Sequence, residues 1–362
     1  MSSIADSKKY IKRRIILPFV NNNIGGMHYS VLELACFLRN IGFEIQFIFF
    51  SEKGGFSCVV RDFGFSTLNF PSVTLDEIRP FSIVRTPFFF VKKLIEIFEI
   101  FKKFGVDSND IILCNCVRSG SVIGILKALR LVGSKYIYYS RTYIRFRHNI
   151  APFFIFADQI FCNSKASWPI LLSWKTEFAP ILFSVCCLTK QKKIDLSFKN
   201  YALYLGRVVD TKRVDLLINE FLASSFYVNG GSLVICSNDK SSRLTELAEQ
   251  NCLRIFFHTS ADKQKLLSQA AFVVSRSNDE GFGRVAIEAA LAGKISVFSD
   301  CWGHRSSVNW GVNGYLIPDS VNLFDWTGNG RSIPERACRE YGYGWIETAM
   351  DEWATIARKH LS

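Results

Sequence analysis

The chain has 362 residues, of which 49% are hydrophobic and 21% charged, and it carries a formal net charge of +12. This composition excludes a disordered chain, and the length allows two domains of ordinary size, each with its own core. The first 20 residues combine a basic stretch with only a short apolar run, which resembles neither a signal peptide nor a membrane-spanning helix. We therefore expect a cytoplasmic protein, with peripheral contact to the inner face of the cytoplasmic membrane as a further expectation.

The positive charge is concentrated in the first half of the chain. Residues 1–200 contain 27 Lys and Arg against 14 Asp and Glu, a net charge of 27 − 14 = +13, whereas residues 201–362 contain 17 against 18, a net charge of −1. This asymmetry predicts an anionic partner for the first half: a membrane surface, a phosphorylated acceptor or nucleic acid.

The 11 cysteines are scattered or adjacent, and the sequence contains no C-x-x-C pair. Only Cys114 and Cys116 have a spacing close to that of a ligand pair, and they fall in an apolar run typical of a strand. Reduced core thiols explain this usage better than disulfides or a metal centre. We therefore predict no metal site.

The chain begins with a predicted strand, Arg14–Val20, followed by a turn, a helix that extends through Leu38 and the strand Glu44–Phe50. The turn contains Gly25 and Gly26. Paired glycines allow the backbone to approach a ligand closely at the carboxyl end of a strand, where open α/β sheets bind their ligands. A purely structural turn is the alternative.

A predicted amphipathic helix, Pro87–Phe104, has its polar residues on one face and a wide face of Phe and Ile. Packing on the sheet of its own domain is the favoured interpretation, and docking on a membrane is the alternative.

After two further predicted strands, the second of them Lys135–Ser140, a basic cluster contains Arg141 and His148. Since it follows the carboxyl end of a strand, both residues are candidates for binding an acceptor, against the alternatives of a solvated surface and a structural histidine.

The second half opens with the predicted strand Tyr201–Leu205, and Arg207 and Lys212 precede the predicted helix Val214–Leu222. A guanidinium can bind two phosphate oxygens at once, and an ammonium adds a point charge. Either residue alone could be an ordinary surface cation.

Residues Ser275–Ser299 contain the most informative motif. Predicted buried strands, Ala270–Val274 and Ile295–Phe298, flank a glycine turn and the predicted helix Arg284–Ala292. The N–H groups at the start of such a helix favour an anionic ligand. The strand–turn–helix–strand order predicts a βαβ unit with a ligand site at the turn.

Two carboxylates mark this unit, Glu280 before the helix and Glu288 within it. Either could be an ordinary helix charge. However, small and apolar residues surround Glu288 in the sequence. A carboxylate in such a setting needs a partner, and the hydroxyl groups of a ligand would provide one.

The pattern from Glu280 to Glu288, Glu-Gly-Phe-Gly-x4-Glu, resembles the Glu-x7-Glu signature of retaining GT-B glycosyltransferases, most closely family 4 (glycosyl transferases group 1). The resemblance implies an α/β fold with two Rossmann-like domains facing each other across a cleft and a C-terminal helix crossing back to the first domain. The domains expected are an acceptor-side domain (1–188), a linker (189–200), a donor domain (201–340) and the returning helix (341–362).

The resemblance also implies metal-independent, retaining transfer of a sugar from a nucleotide diphosphate sugar to a glycan or lipid-linked acceptor. A role in bacterial cell-surface polysaccharide synthesis, such as lipopolysaccharide, O-antigen or capsule, would fit the composition. Glu280 would be the catalytic residue that contacts the sugar, and Glu288 would hold the ribose. The donor-binding residues implied are Gly25, Gly26, Arg207, Lys212, Gly281, Phe282, Gly283 and Glu288.

The sequence departs from the family pattern at several positions. Ser140-Arg141-Thr142 stands where relatives often carry a histidine, and Arg213 replaces the usual glycine after the lysine. Three alternatives stay open: a sugar-nucleotide epimerase of GT-B shape, a nucleic-acid-binding protein that uses the basic half, and an inactive scaffold. No aromatic-basic module of known spacing supports nucleic acid as a partner.

Overall fold

The computed structural model of the chain describes residues 13–20, 26–51, 54–70, 87–141, 152–183, 200–237, 254–258, 263–326 and 333–361. The chain divides into two compact units. The first comprises Met1–Phe183 together with Ala349–Ser362, and the second comprises Ser184–Thr348. The predicted linker, 189–200, lies outside the described residues except for Asn200.

The first unit is built on a sheet of seven parallel strands in the order β3-β2-β1-β4-β5-β6-β7. The strand order reverses between β1 and β4, which is the point where open α/β sheets bind ligands. The strands are β1 Arg14–Phe19, β2 Glu44–Phe49, β3 Ser66–Asn69, β4 Ile111–Cys114, β5 Lys135–Ser140, β6 Gln159–Cys162 and β7 Thr176–Phe178.

Both faces of this sheet are covered by apolar side chains. On one face, Ile16 and Ile112 pack with residues of helices, including Ile97 and Val122. The other face contains aromatic rings, and the ring of Phe19 lies 5.5 Å from that of Phe49. Burial on both faces explains why the strands are continuous apolar runs. The helices of this unit are Gly26–Asn40, Phe56–Asp62, Pro87–Lys103, Val117–Ala128 and Pro152–Ile155, with 3-10 turns at Lys165–Ser167 and Ile170–Lys175.

The second unit has a sheet of six parallel strands in the order β10-β9-β8-β11-β12-β13, and this order reverses between β8 and β11. The strands are β8 Tyr201–Leu205, β9 Ser232–Cys236, β10 Ile255–His258, β11 Phe272–Ser275, β12 Ser296–Ser299 and β13 Gly314–Ile317. The helices are Val214–Leu222, Ser225–Val228, Lys263–Gln269, Arg284–Leu291 and Leu323–Trp326, with 3-10 turns at Asp210–Lys212 and His304–Ser306.

Strand β8 illustrates how this core is formed. Its alternate residues Ala202 and Tyr204 join one apolar cluster, with Leu217 of the helix that follows. Leu203, between them, joins a second cluster, with Ala286 of the helix in the Glu280–Glu288 motif. The period-2 alternation of a strand thus anchors helices on both faces of the sheet.

The end of β11 is anchored by a buried arginine. The side chain of Arg276 is 0% exposed, and its Nε donates to Oε1 of Glu220 at 2.9 Å. Its Nη atoms donate to the carbonyls of Pro318, at 3.3 Å, and Val321, at 2.6 Å. A buried charge is tolerated when it is paired and hydrogen-bonded in this way.

The last helix runs from Glu335 to Ile356 and ends in a π-helical turn, Ala357–Leu361. Trp353 is buried, and its Nε1 donates to the carbonyl of Pro180 at 2.7 Å. Glu177 of β7 pairs with Lys359 and with His360, whose Nε2 lies 2.8 Å from the carboxylate. The end of the chain therefore belongs to the first unit, which confirms the predicted return of the C-terminal helix.

Two Rossmann-like parallel sheets confirm the predicted fold class. The strand Tyr201–Leu205 and the helix Val214–Leu222 agree with the prediction at both ends. The predicted strand Ala270–Val274 begins two residues later, at Phe272. None of the helices within the described ranges has the length and apolar character needed to cross a membrane.

Candidate active site

The candidate site lies at the carboxyl edge of the second sheet, where the strand order reverses between β8 and β11. The loop after β8 carries Lys212, and the loop after β11 carries Glu280. Two hydrogen bonds to the carbonyl of Thr211 join these loops, from the backbone N–H of Asn278 at 3.2 Å and from Oγ of Ser277 at 3.1 Å. The fold thus brings together two segments that are about 70 residues apart in the chain.

Lys212 and Glu280 form an ion pair through Nζ and Oε1. Their side chains are 16% and 21% exposed, respectively. The pair brings the cation predicted to bind the diphosphate into contact with the carboxylate predicted to bind the sugar. Nothing in the local sequence predicts this contact.

Arg213, directly after Lys212, adopts the left-handed conformation with φ of 50°. A side chain in that region costs roughly 1 kcal/mol relative to glycine, which explains the glycine that the family pattern has there. The Nη1 of Arg213 donates to Oδ2 of Asp319 at 2.7 Å. The ion pair with Asp319 contributes to holding this turn in place.

Arg207 follows β8, and its side chain is exposed. Its carbonyl accepts a hydrogen bond of 2.6 Å from Oη of Tyr204. A Cβ at Gly206 would lie 2.9 Å from the same hydroxyl oxygen, so no larger residue fits beside Tyr204 without a shift. Gly206 and Tyr204 therefore fix the backbone from which the Arg207 guanidinium extends into solvent.

The glycine turn Gly281–Gly283 lies directly before the helix Arg284–Leu291. Phe282 is buried, with its ring 5.1 Å from the ring of Trp345. Gly283 is the N-cap residue and has φ of 82°. A Cβ there would lie 2.8 Å from Oγ of Ser307 and 2.9 Å from Cδ2 of His304. Glycine is required at this position by both conformation and space.

His304 is a buried residue of the site that the sequence analysis missed. Its Nδ1 lies 2.8 Å from the carbonyl oxygen of Ser299, and its ring lies 4.7 Å from the ring of Phe298. Burial lowers the pKa of His304, although the negative charge of Glu280 acts in the opposite direction. The imidazole is therefore neutral at pH 7, and its ring packs against Gly283 of the glycine turn.

Glu288 has two cationic partners within the chain. Its Oε2 lies 2.5 Å from Nζ of Lys263, and its Oε1 lies 3.4 Å from Nη2 of Arg284. Burial alone would raise the pKa of Glu288, but the two positive charges outweigh this effect and lower it. Lys263 and Arg284 thus provide partners for the Glu288 carboxylate. The sequence pattern had predicted that the hydroxyl groups of a ligand would provide them.

The remaining predicted site residues belong to the first unit. Gly26 begins the helix Gly26–Asn40. Arg141 follows β5 directly and lies 5.4 Å from the ring of Tyr139, measured from Cζ to the ring centroid. Gly25 and His148 lie outside the described residues. Within the described ranges, no group of three or more His, Cys, Asp or Glu side chains is arranged to hold a metal ion.

Comparison with known families matches residues 199–325 to the model described as glycosyl transferases group 1. These residues are therefore similar to group 1 glycosyl transferases. The match contains both cations and both carboxylates of the candidate site. The resemblance inferred from the Glu280–Glu288 motif is thereby confirmed.

A curated relative is the GDP-mannose:cellobiosyl-diphosphopolyprenol alpha-mannosyltransferase of Komagataeibacter xylinus, which is 24% identical over 169 residues. The similarity spans 44% of this chain and 43% of that protein, less than half of the relative's length.

Solved structures extend the similarity to the whole fold. Anabaena Alr3699/HepE in complex with UDP and glucose superposes with a TM-score of 0.73 at 16% identity, covering 96% of this chain and all of that one. A glycosyltransferase from Rickettsia africae gives a TM-score of 0.74 at 14% identity, covering 98% of this chain and all of that one. The GT-B fold is thus confirmed, and with the group 1 match it supports a glycosyltransferase function.

Proposed function

We propose that this protein is a retaining glycosyltransferase that moves a sugar from a nucleotide diphosphate sugar to a glycan or lipid-linked acceptor without a metal ion. The observation that carries the proposal is the meeting of Lys212, Glu280 and the glycine turn at the reversal of strand order in the second sheet. The solved structures of Alr3699/HepE with UDP and with UDP-glucose support a donor of this class.

The chemistry needs a group that stabilises the negative charge growing on the diphosphate as it departs. The bond between the anomeric carbon and the β-phosphate oxygen breaks, and a bond to the acceptor oxygen forms on the same face of the sugar. Arg207 and Lys212 provide positive charge, and the start of the helix Arg284–Leu291 adds its dipole. The departing phosphate oxygen takes the acceptor proton in this proposal.

The two carboxylates have separate tasks in the proposal. Glu280 orients the hydroxyls of the transferring sugar, and Glu288 accepts hydrogen bonds from the ribose hydroxyls. Each carboxylate oxygen can accept more than one hydrogen bond, so the contacts with Lys263 and Arg284 leave Glu288 capacity for a ligand. The lowered pKa keeps Glu288 ionised for that task.

We further propose a lipid-linked acceptor in bacterial cell-surface polysaccharide synthesis and peripheral contact with the inner face of the cytoplasmic membrane. The relative from Komagataeibacter xylinus carries a diphosphopolyprenol in its name, and this chain has its positive excess in the first half. Helix Pro87–Lys103 exposes Phe88, Val91 and Ile95 beside Lys92. Co-sedimentation with anionic and neutral vesicles at increasing salt concentration tests this contact.

Thermal unfolding in the presence of UDP, GDP, ADP and their sugar derivatives tests the donor assignment. A ligand at a hundred times its dissociation constant adds about 2.7 kcal/mol to the free energy of unfolding. We expect at least one nucleotide sugar to raise the unfolding temperature. Stabilisation by none of them would contradict the proposal.

Arg207→Ala provides the matched test of the site. It should weaken binding of that nucleotide by about 1.5–3 kcal/mol, since charge-assisted contacts to phosphate contribute this much. The control is Arg336→Ala, because Arg336 is an exposed cation on the last helix, paired with Glu340. The control should bind as the parent does, and equal binding by Arg207→Ala would rule out the proposed role of Arg207.

A further inference from the structure

Trp302 is a large exposed aromatic residue in the loop between β12 and the 3-10 turn His304–Ser306. It is 55% exposed, whereas Trp353 in the first unit is fully buried. Tryptophan is highly buried on average in folded proteins, because its ring offers a large apolar surface. Trp174 and Trp310 are also exposed, at 79% and 49%, but Trp302 lies at the carboxyl edge of the second sheet, where its ring is accessible to a ligand.

The backbone beside Trp302 is packed against Glu280. A Cβ at Gly303 would lie 2.6 Å from Cβ of Glu280, so only glycine allows this approach. The Cα of Trp302 is one peptide unit, about 3.8 Å, from that of Gly303. The residue that follows Trp302 thus lies against Glu280.

The Trp302 ring packs against one charged neighbour, Arg305. The guanidinium of Arg305 lies over the ring, 5.1 Å from its centroid. Arg305 is itself fixed by two hydrogen bonds to Asp300, from Nε at 2.6 Å and from Nη2 at 2.8 Å. A ring that is already ordered loses little conformational entropy when a ligand binds to it.

We propose that Trp302 is a sugar-binding residue whose indole ring stacks on a pyranose ring while Glu280 binds the hydroxyls of the same sugar. The face of an aromatic ring carries negative charge density, which attracts the weakly positive C–H groups of a pyranose. The proposal rests on the proposed function, because that function places a sugar next to Glu280. The pyranose belongs either to the donor or to the acceptor, and separate titrations of nucleotide sugars and of methyl glycosides distinguish these two cases.

The experiment compares the parent with Trp302→Ala, which removes the aromatic ring, and with Trp302→Phe, which keeps one. Trp174→Ala is the matched control, because Trp174 is an exposed tryptophan of the first unit. Calorimetric titrations use UDP and UDP-glucose, and GDP and GDP-mannose. A second set of titrations adds methyl α-glucoside or methyl α-mannoside at saturating UDP or GDP, with saturation-transfer NMR as the readout of sugar C–H contacts.

If the donor sugar stacks on Trp302, Trp302→Ala should bind the nucleotide sugar about 3- to 10-fold more weakly while binding the bare nucleotide as the parent does. If the acceptor sugar stacks there, donor affinity stays the same, and the saturation-transfer signal of the methyl glycoside is lost. In both cases Trp302→Phe should retain most of the effect of the ring, and Trp174→Ala should behave as the parent.

A parent that binds nucleotide sugars, with Trp302→Ala equal to it in both sets of titrations, overturns the assignment of Trp302 and leaves the proposed function standing. A parent that is stabilised by none of the nucleotides and nucleotide sugars in the thermal unfolding experiment overturns the proposed function and the stacking role with it. The unfolding temperature of Trp302→Ala should stay close to that of the parent, since the substitution removes an exposed side chain and leaves no buried cavity.

Discussion

Nζ of Lys212 and Oε1 of Glu280 form an ion pair that joins the loop after β8 to the loop after β11. Since both side chains are mostly buried, their attraction is screened less than that of a surface pair. A diphosphate that binds Lys212 must therefore compete with Glu280 or share the ammonium with it. In the proposed function, the sugar of an intact donor would give Glu280 new partners, whereas a bare nucleoside diphosphate would give it none.

This competition predicts that Glu280→Gln binds the bare nucleoside diphosphate more tightly than the parent, by about 1 kcal/mol or roughly 5-fold, while its sugar transfer is slower. The reason is that the amide leaves Lys212 available to the phosphates. Calorimetry with UDP or GDP, whichever stabilises the parent, measures the change. In the Lys212→Met background the gain should disappear, and a gain that persists there would point to simple charge repulsion instead. Glu340→Gln, at an exposed ion pair, is the control.

The contact between Lys263 and Glu288 predicts a pH-dependent contribution to stability. Because the pKa of Glu288 is lowered in the folded state, the ionised carboxylate stabilises the fold above its unfolded pKa of about 4.3, and this stabilisation is lost as the pH falls through the folded pKa. Lys263→Met should lower the free energy of unfolding by about 1 kcal/mol at pH 7 and by less near pH 3. Urea unfolding at both pH values measures this difference.

In the Glu288→Gln background, Lys263→Met should cost less than it does in the parent, because its partner charge is gone. An equal cost in both backgrounds would show that Lys263 acts through its packing and not through Glu288.

His304 predicts a second pH dependence with its own window. Burial lowers its folded pKa below the usual value of about 6.5, so the unfolded chain binds more protons between the two values. Stability should therefore fall as the pH drops below about 6.5. His304→Leu removes the titrating group, and the slope of unfolding free energy against pH between 5 and 6.5 should become smaller. An unchanged slope would contradict a buried, neutral imidazole.

Gly283 and Gly230 allow conformational strain to be separated from a steric clash. Both have positive φ, 82° and 85°, but a Cβ at Gly230 would meet nothing within 4 Å. Gly230→Ala should lower the free energy of unfolding by roughly 1 kcal/mol, because alanine is disfavoured in the left-handed conformation. Gly283→Ala should cost about 1–3 kcal/mol more, because the new methyl group meets Ser307 and His304.

Chemical unfolding of both variants, with nucleotide binding as a second measurement, tests this difference. Nucleotide binding should be impaired only by Gly283→Ala, since only that glycine lies in the turn before the helix of the site. An equal loss of unfolding free energy in the two variants would mean that Ser307 and His304 move to accommodate the new methyl group without strain.

The sequence was sufficient to predict elements whose signals are local. The strand Tyr201–Leu205 and the helix Val214–Leu222 have apolar patterns of the right period and clear boundaries. The Glu280–Glu288 motif was predictable because its spacing is carried by one short segment. These predictions needed no knowledge of which distant segments meet.

The contacts that shape the site depend on tertiary structure and were missed for that reason. His304 and Lys263 come from separate elements that the parallel sheet brings to the motif, and nothing in their local sequence marks them as its neighbours. Trp302 carries no signal beyond its residue type. Ion pairs and ring contacts between loops become visible only once the strand order is known.

The buried guanidinium of Arg276 has a consequence for the dynamics of the second unit. It connects β11 to Glu220 in one helix and to the carbonyls of the segment from Pro318 to Val321. Local opening of either partner would leave a buried charge without compensation, so these pieces should open together as one cooperative unit. The amide protons of this unit should therefore exchange with solvent at nearly the rate set by global unfolding. The loop that carries Glu280 begins directly after Arg276 and so starts from one of the slowest-exchanging parts of the domain.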